Sequence, residues 1–137
     1  AEGRYRINAE QRAAMGELYG DFAGEAECSG AIRTFYEKEG YLLDPHTAVA
    51  AAGAGKTEKL EHKTLIVSTA SPYKFSAAVL EALGGGRQDE SFALARELHA
   101  KTGAPIPTGI AGLENKPLRF SDVIGREEMK AAVLRFL

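Results

Sequence analysis

Residues 64–76 read TLIVSTASPYKFS, and the change of pattern inside this stretch predicts the fold class. Its first half is continuously apolar and β-branched at its centre, which is typical of a strand covered on both faces. Its second half begins with Ser71-Pro72, in which a capping side chain precedes the favoured first residue of a helix. A buried strand that leads directly into a helix predicts an α/β fold.

The rest of the chain is rich in helix signals. Capping residues, glycines and apolar residues at helical spacing predict further helices at five places. These run from Asn8 to Gly20, from Ser29 to Gly40, from Pro45 to Ala52, from Glu90 to Lys101, and from Arg126 to the C-terminus with Met129, Val133, Leu134 and Leu137 inward. One strand cannot make a sheet. Either weak strands lie near Tyr41–Leu43 and Ala104–Ile106, or the partner strands belong to sequence outside this chain.

Size and charge limit what the chain can be. It has 137 residues, which is enough for one domain, 1–137. A net charge of -2 with scattered basic residues argues against binding to nucleic acid or to an anionic membrane, and no apolar run approaches a membrane span. The lone Cys28 fits a reducing compartment, so we expect a cytoplasmic protein. Because the chain begins with Ala1 rather than Met, we expect a piece of a longer protein.

The string GAGKT, which ends at Thr57, raises the possibility of a phosphate-binding loop. Gly55, Lys56 and Thr57 fit the last three positions of the Walker pattern, but Ala50 stands where its first glycine belongs. Such a loop also follows a strand and opens a helix, whereas here a helix precedes it. We therefore expect a helix end at Gly53 and an exposed loop over residues 53–63. A nucleotide binder is the less favoured alternative.

The turn at the end of the predicted strand is the better candidate for a ligand site. Hydroxyl groups of Ser68, Thr69 and Ser71 lie there, and ligands of open α/β sheets bind outside the carboxyl ends of strands. Ordinary turn and capping chemistry explains the same residues equally well. His46, His62 and His99 lack metal-ligand spacing, so no metal site is predicted, and no catalytic residue is assigned.

Two segments resemble bacterial and fungal threonine synthases. Residues 40–50 read GYLLDPHTAVA, and residues 68–75 read STASPYKF, which is similar to the family's TAHPAKF segment. The resemblance extends from about Ser29 to Leu83. It implies the helix-rich C-terminal portion of a tryptophan-synthase-β-like enzyme of pyridoxal-phosphate fold type II. Such a portion would hold a small partial parallel sheet with flanking helices.

The resemblance also implies a function. Threonine synthases are pyridoxal-phosphate lyases of threonine biosynthesis that convert O-phosphohomoserine and water to threonine and phosphate. By resemblance, the hydroxyl of Thr69 contacts the pyridine nitrogen of the cofactor. The resemblance implies pocket-supporting roles, without proton transfer, for Asp44, His46, Thr47, Ser68, Ser71 and Lys74.

The chain departs from the family pattern in two ways. Ser71 replaces a histidine and Tyr73 an alanine, while Lys74 keeps the motif's lysine, which is not the one that binds the cofactor covalently. The family's covalent lysine, in an SFKD-like segment, and its phosphate-binding loop have no counterpart in the chain. We therefore expect the chain to be inactive alone, to bind no cofactor and to need the remainder of the parent enzyme.

Two further expectations concern partners. Loss of the partner sheet would expose apolar surface and could drive self-association. The remaining alternative is a stand-alone α/β interaction domain that kept the motifs but lost catalysis.

Overall fold

The computed structural model describes residues 3–16, 18–57, 63–86 and 92–135. Residues 1–107 form one compact unit and residues 108–137 a second. The helices of the first unit are α1 (Ala9–Ala14), α2 (Glu25–Glu39), α3 (Pro45–Lys56), α4 (Ser76–Ala82) and α5 (Phe92–Thr102). A short 3₁₀ turn, Pro72–Phe75, precedes α4 directly. The second unit holds 3₁₀ turns at Leu113–Asn115 and Arg126–Glu128, followed by α6 (Met129–Leu134).

No described residue belongs to a β-strand, so the predicted α/β fold with a small partial parallel sheet is wrong. The expected strand, residues 64–68, has no regular secondary structure, and 88% of Leu65 and 69% of Val67 are exposed. The weak strands expected at residues 41–43 and 104–106 are irregular as well. A strand needs a neighbour to accept its ladder hydrogen bonds, and the described residues offer none. The described part of the chain is therefore mostly helical.

Four helices of the first unit make its core. α2 packs against α3 and α4, and α4 packs against α5. The side chains buried between them are mostly aliphatic: Ile32, Ala48, Val79, Leu80, Leu94 and Leu98. Two hydrogen bonds tie α2 to its neighbours across the core's edge. Arg33 Nε donates to the carbonyl of Ala82 at 2.9 Å, and the Tyr36 hydroxyl donates to the carbonyl of Lys101 at 3.2 Å.

The helix ends follow the local signals in the sequence. Asn8 and Gln11 form the predicted capping box of α1, each side chain accepting from the other's backbone N–H. Asp44 caps α3 with Pro45 in its first turn. Gly40, with φ 64°, closes α2 in the left-handed conformation that only glycine adopts without strain. These ends are confirmed because capping uses residues within one turn of each other.

Several helix boundaries differ from the prediction. α1 ends at Ala14 instead of continuing to Gly20. α2 begins at Glu25, four residues before the expected Ser29, and its first turn is stabilised by acidic residues near the positive end of the helix dipole. α3 continues through Gly53 to Lys56 instead of ending at the glycine. The Lys56 ammonium donates to the carbonyl of Phe22 at 2.7 Å, which anchors the last turn and offsets the low helix propensity of glycine.

The apolar faces of the two terminal helices are exposed. α1 has no buried residue. In α6 only Ala132 is buried, whereas Met129, Val133 and Leu134 are each more than half exposed, so the prediction that they point inward is wrong. Leu137 lies outside the described residues. Helical spacing identifies an apolar face, but it does not say whether another element covers that face.

Candidate functional site

The candidate site begins at the N-terminus of α3, where Asp44 is 1% exposed. Its Oδ1 accepts hydrogen bonds from the backbone N–H groups of His46 at 2.9 Å and Thr47 at 3.3 Å. The Thr47 hydroxyl donates to Asp44 Oδ2. The carboxylate therefore satisfies two orphan donors of the helix and fixes one side chain. Asp44 is needed locally to form the helix end, as its sequence position predicts.

A hydrogen bond of 3.0 Å joins Thr47 Oγ1 to Ser68 Oγ and so connects the two motif segments. The Thr47 hydroxyl has one proton, and a carboxylate can only accept. That proton therefore goes to Asp44, and the Ser68 hydroxyl supplies the proton of the second bond. The result is a chain of hydrogen bonds from a buried carboxylate to the turn that precedes Thr69.

The ring of His46 makes a second contact between the motifs. It stands edge-on to the ring of Phe75, with centroids 4.9 Å apart and an interplanar angle of 75°. This arrangement is favourable for two π-systems because the edge of one meets the face of the other. His46 therefore supports the packing of the 3₁₀ turn against α3.

Ser71 and Tyr73 shape the 3₁₀ turn. Ser71 Oγ accepts from the Tyr73 backbone N–H at 3.3 Å and thus caps the turn. The Tyr73 side chain is buried, its hydroxyl donates to the carbonyl of Ala104, and burial raises the pKa of that hydroxyl. Sequence reasoning did not assign this role to Tyr73, although its presence in place of the family's alanine was the available signal.

Thr69 and Lys74 are two site residues that lie outside this chain of hydrogen bonds. Thr69 follows Ser68 directly and is exposed, and Lys74 is exposed on the 3₁₀ turn. Asp44, Thr47 and Ser68 are thus brought together, while Thr69 is presented next to them. The Thr69 side chain is therefore exposed directly after the residue that Thr47 holds.

A cleft of about 440 Å³ lies beside the turn. Both motif segments contribute to its walls, together with the residues that follow α5. The walls include Tyr36, Tyr41, Leu42, Ser71, Tyr73 and Pro105. Sequence reasoning missed this cleft because its walls come from three separate parts of the chain.

Lys56 of the GAGKT string forms an ion pair with Glu27. Its ammonium lies 2.7 Å from Glu27 Oε1 and 5.3 Å from the ring centroid of Phe22. The pairing raises the pKa of Lys56 and lowers that of Glu27. Since Gly55 and Lys56 form the last turn of α3, the string is not the strand–loop–helix junction of a phosphate-binding loop.

The described ranges contain no group of three or more His, Cys, Asp and Glu residues that could hold a metal ion. None of their helices has both the length and the hydropathy that a bilayer crossing requires. Cys28 is half-buried, and burial raises the pKa of its thiol, which disfavours the reactive thiolate. His62 lies outside the described residues.

A comparison with protein families decides the assignment. The family described as "Threonine synthase, C-terminal" matches residues 47–133, well over half of the chain. The chain belongs to this family. The resemblance that the two motifs indicated is therefore confirmed. The match to the threonine synthase C-terminal family includes Thr47, Ser68 and Thr69, whereas Asp44 lies just before it.

The proteins to which this member of the threonine synthase C-terminal family is similar are longer than the chain. It is 47% identical over 68 residues to threonine synthase-like 1 of Mus musculus, which is 50% of the chain and 9% of that protein. The protein of the same name in Homo sapiens is 40% identical over 67 residues, again 9% of its length. The chain therefore spans about a tenth of the length of the curated relatives it matches.

Proposed function

We propose that this chain is the C-terminal part of a threonine synthase, a lyase of threonine biosynthesis. The parent enzyme converts O-phosphohomoserine and water to threonine and phosphate with pyridoxal phosphate as its cofactor. The observation that carries the proposal is the family match over residues 47–133. The bond between Thr47 and Ser68 supports it, because it draws together the two segments that resemble the enzyme.

The residues present fit one edge of the cofactor. Pyridoxal phosphate supplies an electron sink when it is bound. The exposed hydroxyl of Thr69 can donate a hydrogen bond to the ring nitrogen. A neutral hydroxyl, unlike a carboxylate, does not stabilise a positive charge on that nitrogen, so Thr69 favours a neutral ring. Asp44, Thr47 and Ser68 hold the segment that carries Thr69, and Ser71 holds the turn after it.

The other contacts to cofactor and substrate are proposed to come from the remainder of the parent enzyme. These contacts are the covalent lysine and the groups that hold the phosphate. The length of the curated relatives, which far exceeds that of the matched segment, supports this division. We propose that the isolated chain is inactive and binds no pyridoxal phosphate, that its partner is the remainder of the parent, and that the enzyme acts in the cytoplasm.

The test compares the 137-residue chain with a longer protein that also contains the remainder of the proposed parent enzyme. We expect the longer protein to release phosphate from O-phosphohomoserine and the isolated chain to release none. Thr69→Val in the longer protein should lower kcat, whereas Thr69→Ser keeps the hydroxyl and should preserve most of it. A longer protein that binds pyridoxal phosphate but does not act on O-phosphohomoserine would overturn the proposed reaction.

A binding module without catalysis is the second candidate. The exposure of Leu65 and Val67 favours it, because exposed apolar side chains close together in the chain are typical of an interaction surface. The gene distinguishes the two candidates. A reading frame that begins near Ala1 would support the binding module, and an upstream frame with an SFKD-like segment would support the enzyme.

A further inference from the structure

The bond between Thr47 and Ser68 differs in kind from the bonds that Asp44 makes. The bonds of Asp44 are local and complete a helix end, whereas this one joins residues 21 positions apart in the chain. Thr47 is 3% exposed and lies between a buried carboxylate and an exposed serine. Its hydroxyl therefore links the helix end of the first motif to the turn of the second.

We propose that Thr47 is a positioning residue: held by Asp44, its hydroxyl fixes Ser68 and thereby the backbone that presents Thr69. The positioning of Ser68 by Thr47 involves only residues of this chain. That this positioning helps Thr69 to contact the cofactor rests on the proposed function.

The segment around Ser68 depends on such a bond. No described residue forms a strand with it, so ladder hydrogen bonds do not fix its backbone. The Cα atoms of Ser68 and Thr69 are about 3.8 Å apart across one planar peptide unit. Holding the Ser68 side chain against α3 therefore restricts the places that Thr69 can occupy.

Threonine suits this position for two reasons. Its β-branched side chain has few χ1 rotamers in a helix, and its hydroxyl selects among them by binding Asp44. Valine has nearly the same shape but no hydroxyl. Thr47→Val thus removes the bonds to Ser68 and to Asp44 Oδ2 without opening a cavity, while Asp44 Oδ1 still caps the backbone N–H groups of residues 46 and 47.

The first experiment measures positioning in the 137-residue chain by NMR. In Thr47→Val we expect the Ser68 and Thr69 amide signals to move toward their random-coil positions. Loss of one hydrogen bond of typical net strength should raise about fivefold the population of molecules in which Ser68 is detached from residue 47. Thr47→Ser should keep the wild-type signals because it retains the hydroxyl.

Thr57→Val is the matched control. The Thr57 hydroxyl binds the carbonyl of Gly53 in the last turn of the same helix and does not contact Ser68. We expect the Ser68 and Thr69 signals to be unchanged in this variant. The positioning role is overturned if Thr47→Val leaves both signals as in the wild type, or if Thr57→Val moves them equally.

The second experiment uses the longer enzyme. Thr47→Val should lower kcat about fivefold and alter the circular dichroism of bound pyridoxal phosphate, with little change in KM, because Thr69 contacts cofactor rather than substrate. Thr47→Ser should restore both. If the NMR signals move but the cofactor signal does not, Thr47 positions Ser68 without serving the cofactor. If the wild type lacks activity toward O-phosphohomoserine, the proposed function fails, and the NMR result still decides the positioning role.

Discussion

The hydroxyl of Tyr73 donates a hydrogen bond to the carbonyl of Ala104, 31 residues further along the chain. The same oxygen lies 2.7 Å from Nδ1 of His99. A carbonyl oxygen only accepts, so the Nδ1 atom of His99 carries its proton in this contact. Two donors from different elements thus converge on one backbone oxygen and fix the segment after α5 beside the candidate site.

Removal of the Tyr73 hydroxyl should destabilise the chain. Tyr73→Phe loses a buried hydrogen bond of about 1 kcal/mol, while Ala104 keeps its bond to His99. Urea unfolding should show this loss in the free energy of unfolding. Tyr36→Phe is the control, because its more exposed hydroxyl also binds a backbone carbonyl, at 3.2 Å, and should matter less. Equal losses in both variants would contradict the interpretation.

Stability should fall at alkaline pH through the same residue. Burial raises the pKa of Tyr73 in the folded chain above the usual value of about 10. The unfolded chain releases the Tyr73 proton at a lower pH than the folded chain does. The contribution of Tyr73 to stability is therefore complete below its pKa in the unfolded chain, and it is lost as pH rises through its pKa in the folded chain. The free energy of urea unfolding, measured at several alkaline pH values, should therefore fall more steeply for the wild type than for Tyr73→Phe. Parallel curves would exclude Tyr73 as the cause.

Asp44 should contribute more to stability than a cap of the same kind elsewhere. Asp44→Ala removes the cap of a packed helix and should cost about 1–2 kcal/mol in urea unfolding. Asn8→Ala removes the cap of α1, which has no buried residue, and should cost much less. Asp44→Asn keeps a side-chain oxygen that can accept the capping hydrogen bonds. Its loss of unfolding free energy should therefore lie between those of Asp44→Ala and Asn8→Ala. A loss for Asn8→Ala as large as that for Asp44→Ala would refute this ranking.

Replacement by alanine of two glycines, one inside α2 and one at its end, should change the stability of the chain in opposite directions. Gly40 has φ 64° and ends the helix, so Gly40→Ala should destabilise by about 1 kcal/mol through backbone strain. Gly30 lies inside the helix, and a methyl group added there would meet nothing within 4 Å, so Gly30→Ala should stabilise by about 0.5–1 kcal/mol. The melting temperatures of the two variants, compared with that of the wild type, test this prediction. The same sign in both would contradict the argument.

Exposed apolar residues should drive self-association of the isolated chain. We expect light scattering to detect species larger than a monomer at high concentration, because 88% of Leu65 and 69% of Val67 are exposed. Leu65→Lys should shift the chain toward monomer. Thr64→Lys adds the same charge beside it but keeps both apolar side chains, so it should have a smaller effect. A wild type that stays monomeric would contradict the expectation.

Local signals predicted the parts of the structure that depend on neighbours in the sequence. The caps at Asn8 and Asp44 and the turn at Ser71 are all formed within three residues, and each is as expected. The strand over residues 64–68 was wrong because its composition cannot supply a pairing partner.

The site itself was only partly predictable. The resemblance predicted pocket-supporting roles for Asp44, Thr47 and Ser68. Hydrogen bonds join these three residues, and their roles toward a cofactor stay predictions. The sequence did not indicate which of them touch, since Thr47 and Ser68 are far apart along the chain. Tyr73 was missed for the same reason, because its partner Ala104 belongs to a segment without a motif.

The bond between Thr47 and Ser68 also joins the two ends of residues 48–67, a stretch that begins with the rest of α3. The entropy cost of closing a flexible loop grows only with the logarithm of its length, about 0.6 kcal/mol for each doubling. An insertion between the two motifs would therefore weaken their union only slightly. We therefore expect this connection to tolerate added residues while the helix end and the segment that holds Ser68 keep their geometry.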